Sequence, residues 1–343
     1  MYHLRPPRRG EALARKSLTQ KVAVIGAGLA GLSCSSYLRR AGCFVEVFEQ
    51  ERIIGGRVAT ARNGLVAFDS GAQYLTARSD KFRSYINELV SSGYAARWDP
   101  KTTSGETKGV QLHTWYVGTP GMSSIVRPLA ESILVHTGKK VHTLKPTDKG
   151  WTIWFEDQTS AGPFAAVAVT VPAPAARLLL GRVEGMVETL SRVRMVPTWS
   201  VMVRLAERTL PDQDVYSDMS EVLRWIARNS SKPGRNVSGG GETVVIHASP
   251  SWSRETEDAD PEAVAEEIWG EVTRQLGLPA VTPQQISAYL WRHGLVEQSL
   301  GESFIYSSHY KVGAAGDWCL GRLAEHAYES GQGLGKAIVS SLI

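Results

Sequence analysis

The sequence predicts an α/β fold in two interleaved parts: a Rossmann-like dinucleotide-binding domain and an α+β substrate domain built on an antiparallel sheet. Three observations predict it. A short β-branched run ends on a turn of three glycines, a second such run ends on a carboxylate, and the chain, at 343 residues, exceeds the roughly 250–300 at which a single core stops growing.

The first run, "KVAVI" (21–25), is bounded by glycine, as a strand buried on both faces of a parallel sheet should be. "LAGLSCSSYLRRAG" then sets Leu29, Leu32, Ser33 and Ser36 near helical spacing, with Gly42 as the stop. Gly26 permits the tight turn, Gly28 lets the backbone approach a pyrophosphate, and Gly31 lets the helix pack close to the strand. Gly26, Ala27, Gly28, Leu29, Ala30 and Gly31 are therefore expected along the phosphates. "CFVEVFE" (43–49) reads as the second strand, and Glu49, 18 residues past Gly31, is placed to accept hydrogen bonds from a ribose diol, with Gln50 beside it. In this order the elements predict a site for the ADP half of a dinucleotide.

The segment "QERIIGGRVATARNGLVAFDSGAQYLTARSDKF" (50–82) decides which dinucleotide. Its Gly55-Gly56-Arg57 step resembles the flavin-containing amine oxidase superfamily, in which the diglycine admits FAD and the arginine contacts its phosphates. The same resemblance implies that "FDSGAQYL" (68–75) passes beside the isoalloxazine ring, bringing Gly71, Ala72, Gln73 and Tyr74 to it. "VGAAGDWCLGRLAEHAYESGQGLGKAIVSSLI" (312–343) resembles the superfamily's closing pattern. It implies Gly316 and Asp317 on the ribityl or pyrophosphate oxygens, and His326 and Ala327 at the pyrimidine edge, where backbone N–H groups face flavin N1 and O2. Val141 is expected near the adenine. Cys319 does not match the superfamily's covalent attachment sites, so non-covalent FAD is expected.

Five interior stretches, "GAQYLTARSDKF", "WYVGTPGMSSIVRPLA", "VPTWSVMVRLAE", "RWIARNSSKPGR" and "VVIHASPSWSRETED", occur in the order found in bacterial renalase-like proteins, and the resemblance covers nearly everything from residue 21 on. Folds of this GR2/amine oxidase type thread twice between domains. The expected FAD-binding domain is 21–95, 131–178 and 296–343, and the expected substrate domain is 96–130 and 179–295. "GWTIWFEDQTSAGPFAAVAVTVPAPA" (150–175) reads as a hairpin returning to a buried strand, and "DPEAVAEEIWGEVTRQLG" (260–277) as an amphipathic helix with Pro261 in its first turn.

The resemblance also implies the chemistry. Renalase-like flavoproteins oxidise dihydronicotinamides that carry the hydride at ring position 2 or 6, passing it to flavin N5 and then reducing O2 to hydrogen peroxide. The expected product is NAD(P)+. Losing hydride makes such a ring aromatic, so positioning suffices and no acid or base is demanded. His247 and Asn229 are expected on the substrate's carboxamide, and Trp291 against its ring. A flavin amine oxidase of the same fold is the alternative; there Lys232 and Lys311 are the nearest lysines, neither within a motif. A non-catalytic flavin-binding protein is the third reading. One departure stands out: His326 occupies a position where the renalase-like pattern has glycine.

Composition narrows the partners. The formal charge of +4 lies wholly in residues 1–20, where Arg5, Arg8, Arg9, Arg15 and Lys16 oppose Glu11 alone. The excess thus describes a basic leader and not a nucleic-acid face. That leader lacks an apolar core, so it is no secretory signal; it reads as a disordered tail, with organelle targeting as the alternative. No window approaches the ~20 apolar residues of a membrane span. Cys34, Cys43 and Cys319 lack metal spacing and read as packing residues of a reducing, cytoplasmic compartment. No metal site is expected: there is no HExxH, CxxC or paired-carboxylate motif.

Overall fold

A computed structural model describes residues 20–63, 66–102, 113–235, 237 and 240–343. The basic leader, apart from Gln20, lies outside the described residues. The first strand, β1 (Lys21–Ile25), leads through the glycine turn into α1 (Leu29–Arg40) and on to β2 (Phe44–Phe48). The helix closes at Ala41, and Gly42, at φ +95°, turns the chain back into the sheet.

After a 3-10 turn at Gly56–Val58 come the short ribbon β3 (Ala61–Asn63) and β4 (Val66–Phe68), then α2 (Asp80–Ser91), capped by the Ser79 side chain. A hairpin of β5 (Ala95–Trp98) and β6 (Trp115–Gly118) leads to the short α3 (Arg127–Ala130) and β7 (Leu134–His136). Three antiparallel strands follow, β8 (Val141–Thr147), β9 (Gly150–Phe155) and β10 (Ser160–Phe164), and then the buried β11 (Ala166–Val169).

Beyond α4 (Ala173–Leu179) and α5 (Met186–Ser191), the chain enters the long β12 (Arg194–Leu205), then β13 (Val215–Ser217), β14 (Leu223–Arg228) and β15 (Glu242–Ala248). Helices α6 (Pro250–Glu255) and α7 (Pro261–Leu276) precede β16 (Gln285–Gln298). Asp260 caps α7 and Pro261 sits in its first turn, as its sequence predicts. The chain ends with β17 (Ile305–Ser307), β18 (Val312–Ala314), α8 (Asp317–Leu320) and α9 (Ala324–Leu342).

Two sheets organise the fold. The first has the order β17-β18-β11-β1-β2-β7, parallel throughout except for β17 against β18. The second is antiparallel, in the order β13-β14-β15-β12-β16. Because side chains alternate along a strand, register assigns its two faces. Trp199, Val201, Val203, Ile226, Val244 and Ile246 pack with Val264, Ile268 and Val272 of α7. The opposite face receives β4, whose Val66 and Phe68 pack on Met202 and Val245.

The first and last helices pack closest where α9 has no side chain, at Gly331. A Cβ on Gly331 of α9 would lie 2.0 Å from the Ala30 carbonyl oxygen and 2.4 Å from Ser33 Oγ of α1. Gly331→Ala is therefore expected to cost about 1–3 kcal/mol, as overpacking does. Urea unfolding should show a lower midpoint at unchanged slope; an unshifted midpoint would mean that the helices separate without penalty.

Candidate active site

The glycine turn forms a cradle between two parts of the chain. Gly26 has φ +99°, and a Cβ on Gly31 would lie 1.9 Å from its carbonyl oxygen, so helix and strand approach as closely as backbones allow. Gly28 faces Gly55 across an isolated bridge, and a Cβ there would meet nothing nearer than Gly55 O at 3.9 Å. That is the gap a phosphate would fill. The first turn of α1 carries no acidic residue and no side-chain cap, which leaves its N–H groups to an anion. Glu49 is buried, and its two carboxylate oxygens accept from Ala27 N–H at 2.7 Å and Glu51 N–H at 2.9 Å. Burial pushes its carboxyl upward, against the pull of those two N–H groups. Each oxygen retains a lone pair for a ribose hydroxyl. Gln50 is exposed, and Val141 opens β8 close to this strand end.

Arg57 does not stand free for phosphate. Its guanidinium is bonded to both carboxylate oxygens of Asp317, at 2.8 and 2.5 Å, which joins the two ends of the chain that were expected to share one cofactor. Gly71 lies against Arg57, where a Cβ would come within 2.1 Å of the Arg57 carbonyl oxygen, and Ala72 N–H donates to that oxygen. Gly316 N–H donates to Ser330 Oγ. The His326 ring folds back on its own helix, its Nδ1 accepting from Leu323 N–H at 3.4 Å, while Ala327 N–H bonds within the same turn. The residue that departs from the expected glycine thus serves as a helix cap.

Strand register brings the expected substrate residues to the sheet face that β4 crosses. His247 pairs across the strands with Ser200 and Trp225, and Trp291 with Thr198. His247 Nε2 and Trp291 Nε1 both lie 3.0 Å from the Ser70 carbonyl oxygen. Since a carbonyl only accepts, His247 carries its proton on Nε2 and leaves Nδ1 as an acceptor. Burial pushes this imidazole down to about 4, so it is neutral at pH 7. Tyr74 stacks on Trp115 with ring centroids 4.0 Å apart and planes 13° apart, and Trp225 lies 5.5 Å from Tyr74.

Asn229 is placed differently from its expectation. Fully buried, it donates to Ala67 O at 2.9 Å and Thr243 Oγ1 at 3.3 Å, and its oxygen accepts from Asp69 N–H. It clamps the 67–69 segment, with both amide hydrogens committed and its oxygen turned to Asp69 N–H.

Sequence reasoning passed over the centre of this region. Asp69, Lys232 and Arg235 are all buried. One oxygen of Asp69 accepts from Lys232 Nζ at 3.2 Å and from two nitrogens of Arg235; the other accepts from Thr60 Oγ1 and from Met122 N–H at 3.0 Å. Burial opposes the charge on Asp69, yet the two cations hold its carboxyl below the ordinary range. Lys232 Nζ also donates to Gln73 Oε1 at 3.1 Å and sits 5.3 Å over the Trp98 ring. Burial pushes its ammonium down to about 8, against the pull of Asp69. Gln73 in turn gives its amide N–H groups to the carbonyls of Asp69 and Gly71. The available signal was a charged residue inside the apolar run "VAFDSG", since a charge buried there requires partners.

A surface groove of about 450 Å³ beside α4, α5 and the start of β12 shares no residue with this region. The three cysteines are free and buried, with burial pushing the Cys319 thiol up to about 12. Among the described residues no cluster of three metal-ligating side chains occurs, and no helix is long and apolar enough to cross a membrane.

Residues 24–89 match the NAD(P)-binding Rossmann-like domain, and residues 89–331, well over half the chain, match the flavin containing amine oxidoreductase family. The chain belongs to that family. As a flavin-containing amine oxidoreductase it is an enzyme, and the cradle, Glu49 and the Arg57–Asp317 pair fit a flavin dinucleotide. The fold is similar to a chain named a protoporphyrinogen oxidase from Exiguobacterium sp. 255-15 (TM-score 0.74, 11% identity, 94% of this chain and 99% of that one). It is also similar to cyclohexylamine oxidase from Brevibacterium oxydans IH-35A (TM-score 0.73, 13% identity, 94% and 99%). A glutamate synthase [NADPH] small chain of Mycobacterium tuberculosis is 43% identical over 75 residues, which are 22% of this chain but only 15% of that relative's length.

Two outcomes follow for this family member. Glu49→Ala should weaken FAD binding about ten- to a hundredfold in a titration of apoprotein, because a charge-assisted hydrogen bond contributes roughly 1.5–3 kcal/mol; an unchanged affinity would place the ribose elsewhere. The second concerns pH. His247 has its folded pKa depressed to about 4 from 6.5, so the unfolded chain binds the extra proton between those values. Its contribution to stability is present above pH 6.5 and lost as pH falls through 4, about 3 kcal/mol in all. Denaturant titrations of parent and His247→Gln across this range should show the smaller acid loss in the variant, and parallel curves would refute the assignment.

Proposed function

We propose that this enzyme oxidises a dihydronicotinamide carrying its transferable hydride at ring position 2 or 6, returning NAD(P)+. Bound without a covalent link, FAD supplies a two-electron acceptor that takes up hydride and passes the electrons to O2 as hydrogen peroxide. The residues of the chain hold and orient. Gly26, Gly28, Gly31 and Glu49 would hold the dinucleotide, the Arg57–Asp317 pair would fix the walls of its cleft, and Trp291 and Tyr74 would bound the space for the donor ring.

The observation that carries this reading is that the side chains converging on Ser70 are uncharged, with the Arg224 guanidinium acting on His247 and Tyr74 only from beside them. His247 is an uncharged acceptor, Trp291 a fixed donor, and the nearest amine, Lys232, is bonded to Asp69 and Gln73. A donor that becomes aromatic on losing hydride needs no proton removed, and such a face suffices for it. Asn229 contributes by positioning the 67–69 strand.

The amine reading has one observation in its favour, the lowered pKa of Lys232. Against it, Tyr74 and Trp115 stack at 4.0 Å and leave no gap between their faces for an ammonium group. Anaerobic mixing of the yellow protein with a donor panel separates the readings. The 2- and 6-dihydro isomers should bleach the flavin at least about a hundredfold faster than 4-dihydro NAD(P)H or primary amines, since the reacting carbon must lie about 3–3.5 Å from its acceptor. Rapid bleaching by an amine and not by the isomers would establish an amine oxidase, and no bleaching by any donor would leave a binding protein.

A further inference from the structure

Five buried side-chain atoms among the described residues have no hydrogen-bond partner, and two of them, Ser200 Oγ and Trp225 Nε1, stand in one row of the five-stranded sheet. The row is read from the register: Tyr289 on β16 pairs with Ser200 on β12, Ser200 with His247 on β15, and His247 with Trp225 on β14. Directly paired residues point to the same face, so the two orphaned atoms flank His247 on the side that carries Ser70 and Tyr74. The other three, Ser124 Oγ, Arg204 Nε and Tyr216 OH, lie on other rungs or outside the sheet.

His247 adds a third unmet group. Its Nε2–H is committed to the Ser70 carbonyl. Gln73 Nε2, 3.5 Å away, is itself a donor already turned to two carbonyls, so that approach sets two donors side by side and is no hydrogen bond. Nδ1 therefore remains a lone-pair acceptor without a protein partner among the described residues.

Three adjacent positions thus offer one obligate donor, Trp225 N–H; one obligate acceptor, His247 Nδ1; and one group of either kind, Ser200 O–H. Buried polar atoms are rarely left unpaired, and the two such atoms of Ser200 and Trp225, with the accepting Nδ1 of the half-buried His247 between them, point to a ligand that pairs them together. An ammonium only donates and leaves the indole N–H unmet. A carboxylate only accepts and leaves the imidazole unmet. A primary carboxamide meets both, its carbonyl accepting from Trp225 or Ser200 and its NH2 donating to His247.

We propose that Ser200 and Trp225, on either side of His247, form the row that selects a neutral primary carboxamide on the substrate. This rests on the dihydronicotinamide reading and names the residues that read its side group. It moves the carboxamide contact from Asn229, which is fully buried and turned to the 67–69 backbone, to two residues of β12 and β14.

The test uses the FAD-loaded protein, kept oxidised and anaerobic, and three isosteric probes: benzamide, benzoate and benzylamine. Binding is read from the perturbation of the flavin absorption spectrum. Benzamide should bind at least about tenfold more tightly than either charged probe. Trp225→Phe, which removes the indole N–H together with the five-membered ring but keeps an aromatic side chain, and Ser200→Ala should each reduce that preference about fivefold or more and leave FAD affinity unchanged. Equal affinities for the three probes in the parent protein, or a preference that survives both substitutions, would overturn the proposal. The donor panel fails independently: dihydro isomers that do not bleach the flavin overturn the reaction but not a row that still selects benzamide, and isomers that bleach it in a protein blind to benzamide overturn the row but not the reaction.

Discussion

The carboxylate of Asp69 holds the active region together. It sits fully buried on the segment that leaves β4, and it receives Lys232 and Arg235 from the connection between β14 and β15. Removing one partner from such a buried group typically costs about 3–5 kcal/mol, because the remaining charge is stranded. The arrangement therefore has to form whole. Once it does, the chain from 69 to 73 has little freedom: Asp69 accepts from the backbone of Met122, Asn229 grips its N–H, and Gln73 is held between Lys232 and two carbonyls.

What that segment then presents is a single carbonyl, Ser70 O, on which His247 and Trp291 converge. An ionic clamp that is not itself a substrate ligand thus determines a histidine tautomer. The charge is spent on position, and the two side chains that converge on Ser70 are themselves uncharged. That combination suits a reaction driven by the aromaticity of its product, in which placing one carbon is the main demand. A second ionic pair, Arg57 with Asp317, does the equivalent for the cofactor cleft by tying the turn after β2 to the start of α8.

Much of this was legible in the chain. The strand, glycine turn, helix and second strand fall where the sequence places them, and so do the hairpin before β11 and the helix from Pro261. The convergence of His247 and Trp291 on the GAQY segment also agrees with the order of motifs. Asn229 was identified as important but given the wrong partner, since a side-chain amide offers the same groups to a backbone as to a ligand. Lys232 stands in no catalytic motif, and Ser200 and Trp225 fall inside the stretches "VPTWSVMVRLAE" and "RWIARNSSKPGR", where nothing local sets them apart from their neighbours.

The division follows sequence distance. A turn that must bend sharply and a helix that must end are local requirements, met by residues within a few positions of one another, and so they are written in the sequence. Glycine at 26, 28 and 31 and a carboxylate at 49 therefore point to a dinucleotide by themselves, and the Gly55-Gly56-Arg57 step that follows points to a flavin one. The substrate face depends on Asp69 meeting Lys232 across 163 positions, Ser70 meeting Trp291 across 221, and Ser200 falling opposite His247 and not one residue to either side. A shift of register by one would turn each of these side chains to the other face of the sheet. Only the folded chain decides that.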